Sequence, residues 1–387
     1  QNFGEFGGVN PSIADSSTFT YLKASTMQAV FEGDQEGCHL YSRHTNPSTS
    51  YLSEALSRLE NTEASYIASS GMGAITSCIL QICKSGDEII ASRTIYGGTY
   101  AFLKNFLPKL GIKTHFVDIT KLKQVKALVN SNTKMVYCES MSNPLLEIAD
   151  IPSLASITKN TSIKLVVDNT FTPMIISPIE LGADLVIHSL TKFINGASDA
   201  VGGVVCGDEE FINAMLDVNN GAGMLLGPVM DPIRAASILK NIRTLHIRMK
   251  QHSHNAKFIS EQFLKEGIKV YYPGIKSHPQ FSLMNKIYNK EFGYGGMLVI
   301  DVKTKENAYA FMEAMQNDNI GYLAVSLGFY KTLFSAPGSS TSSEIPEEEQ
   351  DLMGLSEGMV RISIGIDNDI NRTFDKMKNC MKNVKIL

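Results

Sequence analysis

From about residue 51 to residue 245 the chain alternates helix-length amphipathic stretches with short apolar runs. The runs "KMVYCES", "SIKLVVDNT", "ADLVIHS" and "VGGVVCG" read as strands, and the unbroken "KLVVD" is what a strand covered on both faces requires. Between such runs, a helix over 71 to 84 sets Met72, Ile75, Ile79, Ile82 and Cys83 along one face. The alternation predicts an α/β domain, 51 to 245, with a mainly parallel sheet. Residues 1 to about 50, rich in Ser, Thr, Gly and Asn with little periodicity, read as an extended arm. The stretch 241 to 267 reads as one long amphipathic helix leading into a second domain, 246 to 387. There "GGMLVIDV", "KENAYAFMEAMQN" and "GMVRISIGID" predict a smaller α+β unit with an antiparallel sheet. The polar "SAPGSSTSSEIPEEEQDLMG" reads as a long loop, with Glu347, Glu348, Glu349 and Asp351 at a solvated helix start.

Composition narrows this picture. With 387 residues and 43% hydrophobic content, the chain can build a large core and a smaller one. A net charge of -4, with the signs interspersed, provides no basic field for nucleic acid or an acidic membrane surface. No apolar run approaches bilayer length, and the first residues show no charged-then-apolar signal pattern. The six cysteines form no CxxC pair and no cluster with histidine, so reduced thiols in a cytoplasmic enzyme are expected. His252 and His254, two apart on a helix, face different ways and suggest no metal site. "GMLLGPVM" reads as a packed wall.

In a parallel α/β sheet, ligands sit beyond the carboxyl ends of the strands, and several predicted ends here carry polar groups. Glu139 and Asn143 follow "KMVYC", Asp168 ends "KLVVD", and Lys192 follows "LVIHS". A lysine held among apolar strands is partly desolvated, which lowers its pKa and frees the amine for imine chemistry. Ser189 and Thr191 flank it with hydroxyls able to donate to a phosphate. Asp168 is either a turn cap or, paired with a pyridinium nitrogen, half of the arrangement a pyridoxal phosphate site needs. In "ASSGMGAI", Ser70 is a candidate N-cap, and the amides of Gly71 and Met72 open a helix whose positive end favours an anion. Tyr96 stands at another strand-to-helix turn, where its ring either packs or stacks on a flat ligand. Tyr41 and Arg43 lie in the arm, the arginine suited to a phosphate dianion. Arg361, inside an apolar strand, needs an anion: a substrate α-carboxylate or a structural ion pair.

These residues resemble a family, the Cys/Met-metabolism enzymes that depend on pyridoxal phosphate. "YSRHTNPSTSYLSEALSRLENTEASYIASSGMGAI", "YCESMSNPLLEIADIP", "VVDNTF", "HSLTKFINGASDAVGG" and "VRISIGID" match it in order over nearly the whole chain. The resemblance implies the PLP-dependent transferase fold type I, like aspartate aminotransferase. It also implies a homotetramer, a dimer of dimers, in which the arm of one subunit completes its neighbour's site. Carried over by position, Lys192 looks like the Schiff-base lysine, Asp168 the pyridinium partner and Tyr96 the stacking ring. Ser70, Gly71, Met72, Ser189 and Thr191 resemble the phosphate site, with Tyr41 and Arg43 given by the partner. Glu139 and Asn143 correspond to residues on the cofactor's oxygen side, and Arg361 with Ser326 to the substrate-carboxylate clamp. The stretches "GMLLGPVMD", "YLAVSLGFYKTL" and "EFGYGGMLVID" look most like the plant methionine γ-lyase branch, so the expected reaction is elimination from L-methionine to methanethiol, 2-oxobutanoate and ammonia. Gly98 is expected beside the substrate; better-known methionine lyases carry cysteine there, and cystathionine enzymes usually glycine. Cystathionine γ-lyase, γ-synthase or homoserine sulfhydrylase chemistry are the alternatives, and a non-catalytic pyridoxal phosphate binder a remote one.

Overall fold

The computed structural model describes residues 7–32, 37–338, 348, 350 and 353–387. Most of the polar loop expected after Ala336, with Glu347, Glu349 and Asp351, lies outside the described residues. Seven strands form one sheet: β1 (Ala64–Ala68), β2 (Glu88–Ser92), β3 (Lys113–Val117), β4 (Thr133–Glu139), β5 (Lys164–Asp168), β6 (Leu185–Ser189) and β7 (Gly203–Gly207). Their order is β1-β7-β6-β5-β4-β2-β3. The pairings from β6 through β3 are parallel, and β7 runs antiparallel to both β6 and β1. Leu165, Val166 and Val167 of β5 have no solvent exposure, because helices cover the sheet on both sides.

The second sheet is five-stranded, in the order β10-β11-β12-β9-β8. Its strands are β8 (Lys269–Tyr271), β9 (Met297–Asp301), β10 (Gly321–Leu323), β11 (Thr332–Ser335) and β12 (Met359–Ser363). Pairing is antiparallel except between β10 and β11. Its core, with Phe263, Phe311, Phe334 and Val360, is separate from the core of the first sheet.

Several local readings change. The helix read over 71 to 84 spans Gly71–Ile82, with Cys83 as its extended C-cap. The N-terminal segment contains a helix, Ala24–Phe31, and a second opens at Pro47 behind the N-cap Asn46, whose side chain accepts from the Ser48 amide. The long helix read over 241 to 267 is Leu245–Lys265, and the first two residues of that stretch end a separate helix, Pro232–Ile242. The break has a chemical cause at the Asn241 carbonyl. It accepts from the Thr244 amide and hydroxyl and from the Arg248 guanidinium, which closes the turn tightly and starts a new axis.

Candidate active site

The carboxyl ends of β4, β5 and β6 open into a cavity of about 270 Å³ whose wall includes Glu139, Asp168, Ser189, Thr191 and Lys192. Register explains the convergence. Glu139 pairs with Asp168, and Asp168 with Ile187, so the two carboxylates stand side by side on one face. Asp168 accepts from the Thr170 amide at 3.0 Å and from the Tyr137 hydroxyl at 3.4 Å, and no lysine or arginine pairs with it among the described residues. Burial pushes its carboxyl pKa up, opposed by the Thr170 hydrogen bonds and by the charge of His188. Burial, reinforced by Asp168, pushes Glu139 well up. The oxygens of Glu139 accept from the amides of Tyr96 (2.7 Å) and Asn143 (2.9 Å), so this side chain staples two loops together.

Lys192 lies just past β6, half-buried, with its Nζ 3.2 Å from Ser326 Oγ. Burial first, and then the neighbouring Arg361 charge, lower its pKa to about 8. Arg361 on β12 is 3% exposed; it donates to Asn143 Oδ1 at 3.0 Å and to the Ser326 carbonyl at 3.2 Å. It has no acidic partner among the described residues, and burial lowers its pKa to about 10. Because Arg361 lines the cavity, its buried guanidinium can take a ligand's carboxylate there.

Across the cavity, Ser70 caps the helix Gly71–Ile82 by accepting from the Gly73 amide at 2.9 Å. The amides of Gly71 and Met72 have no acceptor among the described residues. Packing is close here: a Cβ on Gly71 would come within 2.8 Å of Ser189 Cβ. Thr191 Oγ1 accepts from the Gly202 amide at 3.1 Å. Together these groups make an anion cradle at a helix N-terminus.

The cavity wall thus brings together Ser70, Gly71, Met72, Tyr96, Glu139, Asn143, Asp168, Ser189, Thr191, Lys192, Ser326 and Arg361. It does not include Tyr41, Arg43 or Gly98. Arg43 donates instead to the Met224 carbonyl, and Tyr41 is exposed. Gly98 lies against the Tyr96 ring, where an added Cβ would come within 2.6 Å of Cε1. Tyr96 itself is 44% exposed. Sequence reasoning missed Thr170, whose hydroxyl accepts from the Ser189 amide at 2.8 Å and whose own amide holds Asp168. It also missed a buried pair on the far face of the sheet, where His188 Nε2 meets Glu60 Oε1 at 2.7 Å. The signal was available: His188 alternates with Ser189 on β6, so it must face the other way.

A flat ligand that is at once an aldehyde, a ring base and a phosphate meets the amine, the unpaired carboxylate and the anion cradle together. That places the molecule among the pyridoxal-phosphate-dependent enzymes of fold type I. The model of the family described as Cys/Met metabolism PLP-dependent enzymes matches residues 1–379, and the chain belongs to that family. It is 46% identical to a methionine gamma-lyase of Arabidopsis thaliana over 94% of this chain and 84% of that one. An L-methionine gamma-lyase of Porphyromonas gingivalis is 39% identical over 94% of this chain and 90% of its own. A crystal structure from Campylobacter jejuni that carries N'-pyridoxyl-lysine-5'-monophosphate superposes with a TM-score of 0.91 at 28% identity, covering 99% of this chain and 97% of that one. Pyridoxal phosphate is therefore the cofactor.

Proposed function

We propose that the protein catalyses elimination of the γ-thiol from L-methionine, consuming water and releasing methanethiol, 2-oxobutanoate and ammonia. The observation that carries this reading is the distribution of charge around the cavity. The charged lining residues are Glu139, Asp168, Lys192 and Arg361, and each is engaged by the cofactor, the loop backbone or a substrate carboxylate. The rest of the wall includes Ile75, Met141, Phe171, Val201, Val325 and Leu327, which suits a methyl thioether. Cystathionine would bring a second charged amino-acid end with no partner among these residues. The methionine γ-lyase names of the relatives point the same way.

Bound pyridoxal phosphate supplies an electron sink for the charge that develops at the substrate's Cα. In our reading the amides of Gly71 and Met72, with Ser70, Ser189 and Thr191, hold its phosphate. Asp168 keeps the ring nitrogen protonated, Tyr96 stacks on the ring, and Glu139 orders the loop through Asn143 on the oxygen side. Arg361 and Ser326 hold the α-carboxylate, which orients the Cα–H bond toward Lys192. The Lys192 amine, its pKa lowered by burial and by Arg361, takes the proton from Cα. A second proton then leaves Cβ, its electron pair forms the Cβ–Cγ double bond as the Cγ–S bond breaks, and the Tyr96 hydroxyl gives a proton to the departing sulfur. Gly98 sets the room beside that phenol.

The same reading divides the chain into an arm, 1–50, a cofactor domain, 51–245, and a C-terminal domain, 246–387. It gives a cytoplasmic homotetramer in which the partner's arm brings Tyr41 and Arg43 to the phosphate. Leu225 and Leu226, 57% and 56% exposed beside Met224, support a second copy against that face. The test is to offer the purified protein L-methionine and L-cystathionine side by side. Faster methanethiol release from methionine is expected; preferred turnover of cystathionine would move the function to transsulfuration and leave the site intact.

A further inference from the structure

Arg248 is 9% exposed and, among the described residues, pairs with no carboxylate. Its guanidinium is spent on oxygen atoms of the main chain and one hydroxyl. Nη1 donates to the Phe193 carbonyl, Nη2 to the carbonyls of Ile194 (2.8 Å) and Asn241 (3.1 Å), and Nε to Thr244 Oγ1 (3.1 Å). Phe193 and Ile194 are the residues directly after Lys192. They belong to a single helical turn, closed by the Gly196 amide on the Lys192 carbonyl at 2.8 Å and the Asn195 amide on the Leu190 carbonyl at 3.0 Å.

The turn cannot continue, because Gly196 has φ +70, so the carbonyls of Phe193 and Ile194 lack the amides that a longer helix would supply. A buried carbonyl without a donor is costly, and the guanidinium fork fills both at once. The approach is close enough that a Cβ at Gly196 would collide with Arg248. The opposite side of the same turn is pressed by Gly328 (φ +75), where a Cβ would come within 2.8 Å of the Lys192 carbonyl carbon.

We propose that Arg248 is a positioning residue for Lys192: by capping Phe193 and Ile194 it fixes the backbone turn from which the lysine side chain departs. The proposal rests on Lys192 being the amine that carries the cofactor. Arg248 touches neither cofactor nor substrate and acts through the main chain. A lysine in its place can reach one carbonyl but not bridge two, and methionine can reach none.

The test uses the full-length holoenzyme in its wild-type, Arg248→Lys and Arg248→Met forms. The readouts are thermal stability, the pH midpoint of the cofactor's visible band, turnover with KM, and the lysine labelled after borohydride trapping, located by peptide mass spectrometry. With the turn loosened, the visible-band midpoint moves by about one unit or more. Turnover falls on the order of 10²-fold with KM little changed, as expected for an amine displaced by about 1 Å. Thr244→Val, which removes the hydroxyl that accepts from Nε and donates to the Asn241 carbonyl, gives a smaller shift of the same sign and carries the test if the Arg248 variants do not fold. Soluble variants that lose thermal stability yet keep the wild-type midpoint and turnover would overturn the proposal and leave Arg248 a packing residue. Trapping at a lysine other than Lys192 in the wild-type protein would instead defeat the reading of the site itself.

Discussion

Glu60 and His188 are 2% and 0% exposed and hold one another across 128 residues of chain, while Glu60 Oε2 and His188 Nδ1 have no partner among the described residues. Removing His188 leaves the buried Glu60 Oε1 with only the Asn169 side-chain amide, at 3.3 Å. His188→Ala should therefore cost about 1–3 kcal/mol in urea unfolding, and no measurable loss would mean that Asn169 alone satisfies Glu60. Lys192 makes a second prediction with a definite sign. Its amine titrates at about 8 in the fold against an ordinary lysine value of 10.5. Between those values the unfolded chain binds a proton that the folded chain does not, so stability rises with pH through that window. The benefit is complete above 10.5 and gone below about 8. Cofactor-free protein should show this as a rising urea midpoint, and Lys192→Met should flatten it; parallel curves would place Lys192 in water. The site residues at strand ends could be read from sequence because a polar residue after an apolar run is a visible break. Arg248 and Thr170 could not, since each serves a main-chain atom, and such a contact imposes no spacing on the side chains around it.

The helix Gly71–Ile82 shows what an element contributes. Its first turn leaves the Gly71 and Met72 amides open because Ser70 takes only the Gly73 amide. Ser70→Ala should cost about 1 kcal/mol in thermal or urea unfolding and weaken cofactor retention in dialysis. Unchanged retention would separate the cap from the phosphate cradle. The strands were legible as buried runs and the first sheet as mainly parallel, but the reversal of β7 was not. "VGGVVCG" reads the same whether β7 runs parallel or antiparallel, since both faces are covered and no alternation survives. The break at Arg243 and Thr244 was hidden for a related reason. Ala235 and Ile238 before it and Leu245, Arg248, Met249 and His252 after it are all buried, and the interruption lies in who bonds the Asn241 carbonyl.

At the scale of the whole molecule, Tyr41 and Arg43 stand outside the cavity of their own chain, so the proposed assembly makes a complementation test available. Arg43→Ala and Lys192→Ala subunits, each inactive alone, should on co-expression restore about a quarter of wild-type sites, because a mixed dimer has one complete site of two. No recovery in mixed dimers verified by native mass spectrometry would place the arm's role within a single chain. The core division was legible from composition and periodicity, whereas the way the second sheet reaches into the first depends on contacts between distant residues. One such contact, Lys192 with Ser326, joins residues 134 positions apart. During synthesis at about 5–20 residues per second, the lysine is therefore made roughly 7–27 s before the serine that will hold it. For that interval the nascent lysine is an ordinary protonated one, and its amine becomes reactive only once the later groups that bury and aim it, Ser326 and Arg361 among them, have been made.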